Sequence, residues 1–443
     1  MPTRSEVIQA ARFEYGIRPD ERRFQGGLLA QLHGEDPLDR LLPVLRTNER
    51  MATLRELRTL RRDNPDDYQK KRKELRRLAG QDSLRLLARA VANPLGFRER
   101  IFAFWLDHFT VSPTRANETY MLAAYFEDAI RPHLSGRFAD MLKATVTHPS
   151  MLIYLDQNAS TGPNSRVGQR RDSGLNENLA REVLELHTLG VGGPYSQEDV
   201  RQFAELLTGL SIGQEGTRYS QNRAEPGAEE VLGHTYGGGR EQLDNIFEFL
   251  EDLALNPATA LHLAQKLAQH FIGPSPHPAL ESAMAEAYLA SGGELQALYE
   301  VLVEDPAALT AEFPKVRPPF EYAATVLRAL DFDPREIESA GAREARKLGQ
   351  DLTAMGQRPF RPNGPDGWPE AAENWINPPQ LAARISWAGQ VARNYADDRD
   401  PRALLNSVLG DTAPEFLSFA VSGAETKWEG VALLLVSPSL MRR

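Results

Sequence analysis

Apolar residues recur at spacings of three and four along nearly the whole chain, and this pattern limits the fold more than any other feature. Such spacing places apolar side chains on one face of an α-helix, whereas the alternation of a half-buried strand is nearly absent. Among the predicted helices are 21–33, 66–92, 174–189, 240–255 and 257–271. We therefore predict an all-α fold with under about a tenth of the residues in strands.

Loop-rich segments interrupt the helices at 156–174, 211–240 and 356–378. The second is rich in Gly, Ser, Gln and Glu, and it can hold one short β-hairpin. The third is rich in proline but contains two tryptophans, which is typical of a packed loop because tryptophan supplies burial that a linker lacks. No segment resembles a flexible linker, so we predict one domain over 1–443, a single large multi-helix body with long loops.

Composition excludes several classes of function. The chain has no cysteine, so it has no disulfide, no thiolate metal site and no cysteine nucleophile. Its net charge of −10 argues against a nucleic-acid partner. No run approaches about 18 uncharged apolar residues, so we expect no transmembrane segment. The start lacks the apolar core of a secretory signal, which favours the cytoplasm as written, and export only if a signal has been removed.

Long motifs stand in a fixed order along the chain. They include FWLDHFTVS at 104–112, GLNENLAREVLELHTLGVGGPYSQEDV at 174–200, PATALHLAQKLAQHF at 257–271, GWPEAAENW at 367–375 and LLLVSPSLMRR at 433–443. Together these resemble the bacterial family called domain of unknown function 1800, over nearly the full chain. The resemblance implies a largely helical fold without an established activity. It also implies a partner, because members are often encoded beside a phosphatase/sulfatase-like protein, and many members are exported.

Two positions depart from the pattern of that family. Ala224 stands where members usually carry a histidine, and the usual ending proline–glutamate–phenylalanine–glutamine is replaced by the sequence from Pro438 to Met441. If the missing histidine serves as a catalytic residue or metal ligand in other members, the site of this chain is altered or inactive.

Two histidines are candidates for a site between helices. His108 shares a predicted helix face with Phe104 and Trp105, which fits either a core histidine bonded to a backbone carbonyl or a pocket residue. His133 follows Pro132 at a helix junction, where a histidine can satisfy loose backbone carbonyls or serve in catalysis.

The predicted helix 174–189 carries a third histidine. At about 100° per residue, His187 falls on the apolar face, while Asn178, Glu182 and Glu185 fall on the opposite face. These spacings cannot form a Glu-x-x-His di-iron motif, so we predict no zinc or di-iron centre and no cofactor. The glutamates then belong either to a solvated face or to an acid–base site in which Glu182 works with Asp156.

The predicted helix 257–271 presents His262, Lys266 and His270 at intervals of four residues. A lysine between two histidines disfavours a divalent cation and favours an anionic ligand such as a carboxylate, sulfate or phosphate. The alternative is an exposed polar stripe. For an anion site, we expect Lys266→Ala and His262→Ala to weaken ligand binding more than they destabilise the fold.

Two further basic segments are open to two interpretations each. In the loop 160–174, Arg166, Arg170 and Arg171 precede a helix N-terminus, which indicates either an anion site or a surface loop without a ligand. Within the predicted basic hairpin at about 46–92, the stretch RELRTLRRDNPDDYQKKRKELRR spans 55–77. This stretch is either a solvated outer face or a docking surface for an acidic partner.

Two functions remain open. Walker-type loops, HExxH and GxSxG are absent, which disfavours three common hydrolytic mechanisms. The first hypothesis is a hydrolase or carbohydrate-active enzyme acting on an anionic or polar substrate, whose segments meet within roughly 12 Å of a common centre. The second is a non-catalytic scaffold for the phosphatase/sulfatase-like protein. For the enzyme, the catalytic candidates are His108, His133, Asp156, Glu182 and His187, and the substrate-binding candidates are Trp105, Asn158, Arg166, Asn178, His262, Lys266 and His270.

Overall fold

The computed structural model describes residues 1–19, 26–171, 174–239 and 242–443. Parts of the predicted helices 21–33 and 240–255, and two positions of the loop 160–174, lie outside these residues. So does the side chain of Arg171.

Helices dominate the structure, with 62% of residues helical and only 4% in strands, which confirms the all-α prediction. No described helix is both long and apolar enough to cross a membrane. The first twelve α-helices are α1 Arg4–Phe13, α2 Gly27–Ala30, α3 Thr47–Asp63, α4 Pro65–Ala92, α5 Gly96–His108, α6 Ala116–Tyr125, α7 Phe138–Val146, α8 Pro149–Tyr154, α9 Gly168–Arg171, α10 Asn178–Glu182, α11 Gln197–Leu206 and α12 Leu243–Ala254. The others are α13 Pro257–Phe271, α14 Pro278–Ala290, α15 Leu295–Glu304, α16 Pro319–Ala329, α17 Pro334–Ser339, α18 Ala342–Ala354, α19 Pro378–Tyr395, α20 Pro401–Leu409, α21 Glu415–Ser422, α22 Lys427–Leu435 and α23 Pro438–Met441.

Helix starts follow the local sequence closely. Ser196 caps α11 by accepting a hydrogen bond from the backbone N–H of Asp199, whose carboxylate accepts one from the Ser196 backbone N–H in return. Asn256 caps α13, with Pro257 at its first position. In each case the cap satisfies N–H groups that the first helical turn leaves free.

Two short antiparallel hairpins occupy the predicted loop 211–240 and its edge, one more than expected. β1 Leu210–Ile212 pairs with β2 Thr217–Tyr219, and β3 Ala228–Val231 pairs with β4 His234–Gly237. Leu232 and Gly233 connect β3 to β4 with φ angles of 53° and 79°. Positive φ at both turn residues is the geometry that fits the twist of a two-residue hairpin.

Most buried side chains fall into two hydrophobic clusters. The first is built largely from α5, α7 and the helices α11 to α15. The second joins α1 and α4 to α16 and the C-terminal helices α18 to α23. Helices α4 and α5 lie next to each other in the chain, so they link the two clusters. The expectation of one domain stays a prediction.

The predicted helix 174–189 begins only at Asn178, and its second half is a π-helix rather than an α-helix. The α-helical hydrogen bonding of α10 ends at Glu182, and the chain continues as a π-helix over Val183–Thr188. A π-helix bonds each N–H to the carbonyl five residues back, so side-chain positions drift away from the α-helical plot. His187 nevertheless faces the interior with 2% exposure, while Glu182 and Glu185 are only partly buried.

Candidate functional site

Helix α5 places two consecutive polar residues, Asp107 and His108, at its C-terminal end. Phe104 and Trp105 anchor this end in the core, and the Trp105 indole N–H donates to the Tyr299 hydroxyl over 2.7 Å. Consecutive helical residues point about 100° apart, so the two polar side chains enter different surroundings.

His108, His187 and His262 form one group, which we call the histidine cluster. The ring centroid of His108 lies 5.8 Å from that of His187 and 6.3 Å from that of His262. His108 Nε2 donates to the His187 carbonyl and His262 Nε2 donates to the Leu186 carbonyl, each over 3.1 Å. Both carbonyls lie near the end of the π-helix, where intrahelical donors run out. The two histidines therefore cap that end from neighbouring helices.

All members of the histidine cluster have lowered pKa values. Burial is the main cause, and the positive charge of Lys266 adds to it, giving about 3 for His187 and about 4 for His262. The same causes hold the pKa of His108 well below its usual range. The Nδ1 atoms of His108 and His187 have no hydrogen-bond partner within the described residues. Within the same residues no group of three or more His, Asp or Glu side chains is arranged to hold a metal ion.

Asp107 faces a cavity of about 220 Å³ on the other side of α5. The cavity lies between α4, α5, α18 and the segment 357–368. Its walls are mainly apolar and include four phenylalanines. They are Phe102, Phe126, Phe320 and Phe360. A small ligand in this space would meet mostly apolar surface, the partly buried carboxyl group of Asp107 and the ion-paired carboxylate of Glu99.

The turn at Gly367 and Trp368 closes over Asp107. The Trp368 backbone N–H donates to Asp107 Oδ1 over 2.9 Å. Gly367 has a φ of 85°, and a Cβ atom there would lie 2.8 Å from the Asp107 carboxyl carbon. Only glycine combines this backbone angle with so close an approach. The turn therefore packs directly against the carboxyl group of Asp107.

The pKa of Asp107 is raised to about 7. Burial is the largest cause, because it disfavours the charged carboxylate. The hydrogen bond from Trp368 and the charge of Lys266 oppose the increase, whereas Glu370 and Asp366 add to it. Asp107 therefore exchanges its proton close to neutral pH, unlike an ordinary aspartate.

The predicted row on α13 faces carboxylates. The pKa of Lys266 is lowered by burial, against the opposing charges of Asp107, Glu370 and Asp366. His270 Nδ1 lies 2.6 Å from Glu370 Oε1, and burial lowers the pKa of His270 to about 4. The row is thus neither an exposed stripe nor a row of three cations. Its predicted anion binding stays a prediction, without support from its surroundings.

A buried ion-pair network lies beside His270. Glu321 pairs with Arg100, Arg317 and Arg443 at 2.5, 2.6 and 2.9 Å. Burial opposes ionisation of Glu321, but the three guanidinium groups lower its pKa to about 2. Arg100 belongs to α5, Arg317 precedes α16, Glu321 lies in α16 and Arg443 ends the chain, so the network ties these elements together. A buried charge left without its partners would be costly.

His133 and Asp156 lie outside the histidine cluster. His133 ends a 3-10 turn and is partly exposed, and burial lowers its pKa against the charge of Asp140. Asp156 is exposed, with a φ of 55° at the start of another 3-10 turn. The structure thus brings together three of the predicted histidines but not these two residues, whose catalytic roles stay predictions.

The remaining candidates are dispersed. Arg166 is exposed, and Asn178 is exposed at the start of α10. Asn158 lines a separate cavity of about 350 Å³. The pKa of Glu182 is raised by burial, by Glu185 and by Asp366, which places Glu182 within electrostatic reach of the segment that covers Asp107.

Ala224, the first of the two departures named in the sequence analysis, lies in a buried position. It is 4% exposed and packs beside Gly209, close to the position that a Cβ atom on Gly209 would take. The next residue, Glu225, accepts a hydrogen bond from the Asn164 backbone N–H over 2.9 Å. The loop 160–174 is therefore tied at this point to the segment before β3.

Sequence reasoning missed the residues that shape the cavity site. Asp107 lies inside the motif FWLDHFTVS, and Trp368 and Glu370 lie inside GWPEAAENW. Both motifs are among those that carry the family resemblance, but the sequence predicted a site role only for residues of the first other than Asp107, and only packing for the second. The useful signal was an acidic residue at the end of a strongly apolar helix, where burial raises a carboxyl pKa.

Comparison with protein families gives one result. A model of the family described as Protein of unknown function (DUF1800) matches residues 9–442. Comparisons with curated proteins and with solved structures find no match. The match spans the histidine cluster and the cavity alike.

Proposed function

Since this chain belongs to the DUF1800 family, a family of proteins of unknown function, we propose its function from its own geometry. We propose that it is an enzyme, of the hydrolase or carbohydrate-active class, in which Asp107 exchanges a proton with a substrate bound in the cavity. The observation that carries this proposal is a carboxyl group with a pKa of about 7 on the wall of that cavity.

The pKa of Asp107 suits general acid–base catalysis. A proton-transferring group works best when its pKa lies near the working pH, because both protonation states are then available. Strongly shifted carboxyl groups in cavities are enriched at functional sites. Ordinary surface aspartates are ionised at neutral pH and cannot donate a proton.

A second carboxyl group lines the same cavity in a different environment. Glu99 pairs with Arg131 at 2.8 Å and accepts a hydrogen bond from the Asn93 amide over 2.9 Å. Two carboxyl groups with different surroundings are a common arrangement for acid–base work, in which one carries the proton and the other stabilises charge. Glu99 is held by its partners, so we assign the mobile proton to Asp107.

The walls of the cavity suggest the kind of substrate. Aromatic and aliphatic side chains make up most of the lining, so the bound portion is mainly apolar. The polar bond that reacts would lie against Asp107 and the Trp368 turn. An ester or glycoside with an apolar acyl or aryl group matches this description better than a fully polar sugar.

The test is an activity screen with chromogenic aryl esters and aryl glycosides. We expect wild-type protein to hydrolyse at least one class, and Asp107→Asn to lower kcat/KM by about two orders of magnitude or more. Glu286→Gln removes an exposed carboxylate on α14 and serves as the matched control. Equal activity of Asp107→Asn and wild type would contradict the proposal.

A second candidate function is a non-catalytic partner of the phosphatase/sulfatase-like protein. It is favoured by the histidine cluster, where His108 and His262 bond to backbone carbonyls and behave as fold-defining bridges. Co-purification with that protein, followed by the same screen with and without it, separates the two candidates. A complex without activity of this chain favours the partner, whereas activity that depends on Asp107 favours the enzyme.

A further inference from the structure

A further cleft lies between α3, α4 and the start of α6, and it shares no lining residue with the cavity at Asp107. It encloses about 550 Å³. We call it the arginine cleft, because four of its nine lining residues are arginines. They are Arg58, Arg61, Arg72 and Arg115. No acidic residue is among the described residues that line it.

The positive charges of the arginine cleft are poorly neutralised. Arg58 and Arg61 make no ion pair within the described part of the chain, and both are exposed. The Arg72 guanidinium lies 5.5 Å from the centre of the Tyr68 ring, a cation–π contact that leaves its charge intact. Among the described residues, Arg115 alone of the four arginines makes an ion pair, with its Nε 3.8 Å from Glu118 Oε1. Such a concentration of charge in a protein of net charge −10 attracts an anion.

The rest of the lining can hold the uncharged part of a ligand. Leu57, Leu75 and Ala116 supply apolar surface, and Tyr68 supplies an aromatic face. Asn117 adds a side-chain amide that can donate or accept a hydrogen bond. The volume falls within the range of about 300–1,000 Å³ that is typical of small-molecule sites.

We propose that the arginine cleft binds a small ligand with at least two phosphate or sulfate groups. Guanidinium groups match the tetrahedral oxyanions of phosphate and sulfate through paired N–H donors. Four arginines exceed what one singly charged carboxylate can neutralise, which favours a multiply charged ligand. The alternative is a solvated surface on which the four arginines share a cleft without binding anything.

The experiment is calorimetric titration of the full chain with three probes. Inositol hexakisphosphate represents phosphate esters, sucrose octasulfate represents sulfate esters, and an oligoglutamate peptide represents carboxylates. We expect the phosphate or the sulfate probe to bind more tightly than the peptide at low ionic strength, and to weaken as salt is added. The stronger of the first two identifies the oxyanion.

Two double variants that lose the same amount of charge test whether the probe binds in the arginine cleft. Arg58→Gln with Arg61→Gln removes two cleft charges, whereas Lys73→Gln with Arg76→Gln removes two exposed charges of α4 outside the cleft lining. We expect the first pair to weaken binding about tenfold or more and the second to have a much smaller effect. All four side chains are exposed, so both variants should fold, which circular dichroism checks.

Three outcomes would overturn the proposal. The first is that neither the phosphate probe nor the sulfate probe binds at low ionic strength. Another is equal weakening by both double variants, which would show that net charge alone attracts the probes. The last is tighter binding of the oligoglutamate peptide, which would assign the cleft to an acidic protein segment.

Discussion

Asp107 and His108 are neighbours in the chain, yet burial has opposite consequences for them. His108 is held neutral by burial, and its Nε2 donates to the His187 carbonyl. Asp107 is driven toward its protonated form near neutral pH, and it faces a cavity. In both cases desolvation disfavours the charged form, but the histidine thereby stays neutral while the aspartic acid retains its proton up to about pH 7.

The comparison shows that two polar residues on one helix turn can differ in role, one stabilising the fold and the other titrating near neutral pH. The histidine cluster satisfies the carbonyl groups at the end of the π-helix, so its contribution is to the stability of the fold. The surroundings of Asp107 include one backbone hydrogen bond, a partly buried lysine and nearby carboxylates. These surroundings set the pKa of Asp107 rather than holding two helices together.

Replacing the two neighbours should give the largest contrast. We expect His108→Ala to lower the free energy of unfolding by about 3 kcal/mol, because it leaves a cavity and an unpaired His187 carbonyl. We expect Asp107→Asn to change it by only about 1 kcal/mol, in the stabilising direction, because it removes a charge that burial disfavours. Urea denaturation near neutral pH measures both, and equal losses would break the comparison.

Gly367→Ala tests whether the turn sets the environment of Asp107. The new Cβ would meet the Asp107 carboxyl group at 2.8 Å, at a φ of 85° that disfavours alanine. We expect a loss of about 2 kcal/mol in the free energy of unfolding and a lower pKa of Asp107, as the displaced turn admits water. Gly292→Ala provides a control with positive φ and open space around its Cβ position. A larger loss in the control would contradict this role of the turn.

The two regions should respond to pH with opposite signs. The folded pKa values of His187 and His262 lie below the usual histidine value, so their contribution to stability is present above about pH 6.5 and is lost on acidification. The folded pKa of Asp107 is raised, so its contribution is present below about pH 4 and is lost as the pH rises through about 7.

Asp107→Asn should therefore steepen the loss of stability between pH 7.5 and pH 5. In wild type, protonation of Asp107 partly offsets the loss from the histidines, and the variant lacks this offset. We expect a difference of about 1–2 kcal/mol between the two proteins over this interval, measured by urea denaturation at each pH. Parallel curves would show that Asp107 titrates elsewhere.

The smallest expected effect comes from Asp366→Asn. The charge of Asp366 raises the pKa of Asp107 and is the last of its causes in size. Its removal should lower the pKa of Asp107 slightly and leave the histidine cluster unchanged. Site-resolved NMR titration of both regions measures this, with the exposed Asp244→Asn as the control. A change confined to the histidines would contradict the assignment.

The sequence predicted much of the fold because helix periodicity and caps are local. Ser196 and Asn256 mark helix starts within a few residues of their partners. The π-helix at Val183–Thr188 was not predictable in this way, because its end is completed by His108 and His262 from other helices. The interpretation of His108 as a core histidine bonded to a carbonyl was available from its apolar neighbours alone.

The candidate site was harder to predict because its chemistry is assembled from distant segments. The pKa of Asp107 depends on the turn at Trp368 and on Lys266, which are far away in the sequence. The expectation of an anion site on α13 counted on the basic character of the row, but burial keeps His262 and His270 neutral. Sequence spacing gives the face of a helix but not the charges that pack against it.

The titration of the Asp107 carboxyl group tests the account most directly. Carbon-13 NMR of the aspartate carboxyl carbons, with Asp107→Asn to assign the signal, gives the pKa without knowledge of any substrate. The account predicts a midpoint of about 7. A midpoint near the ordinary aspartate value of about 4 would contradict it, because Asp107 would then be ionised and could not serve as the proton donor of the cavity.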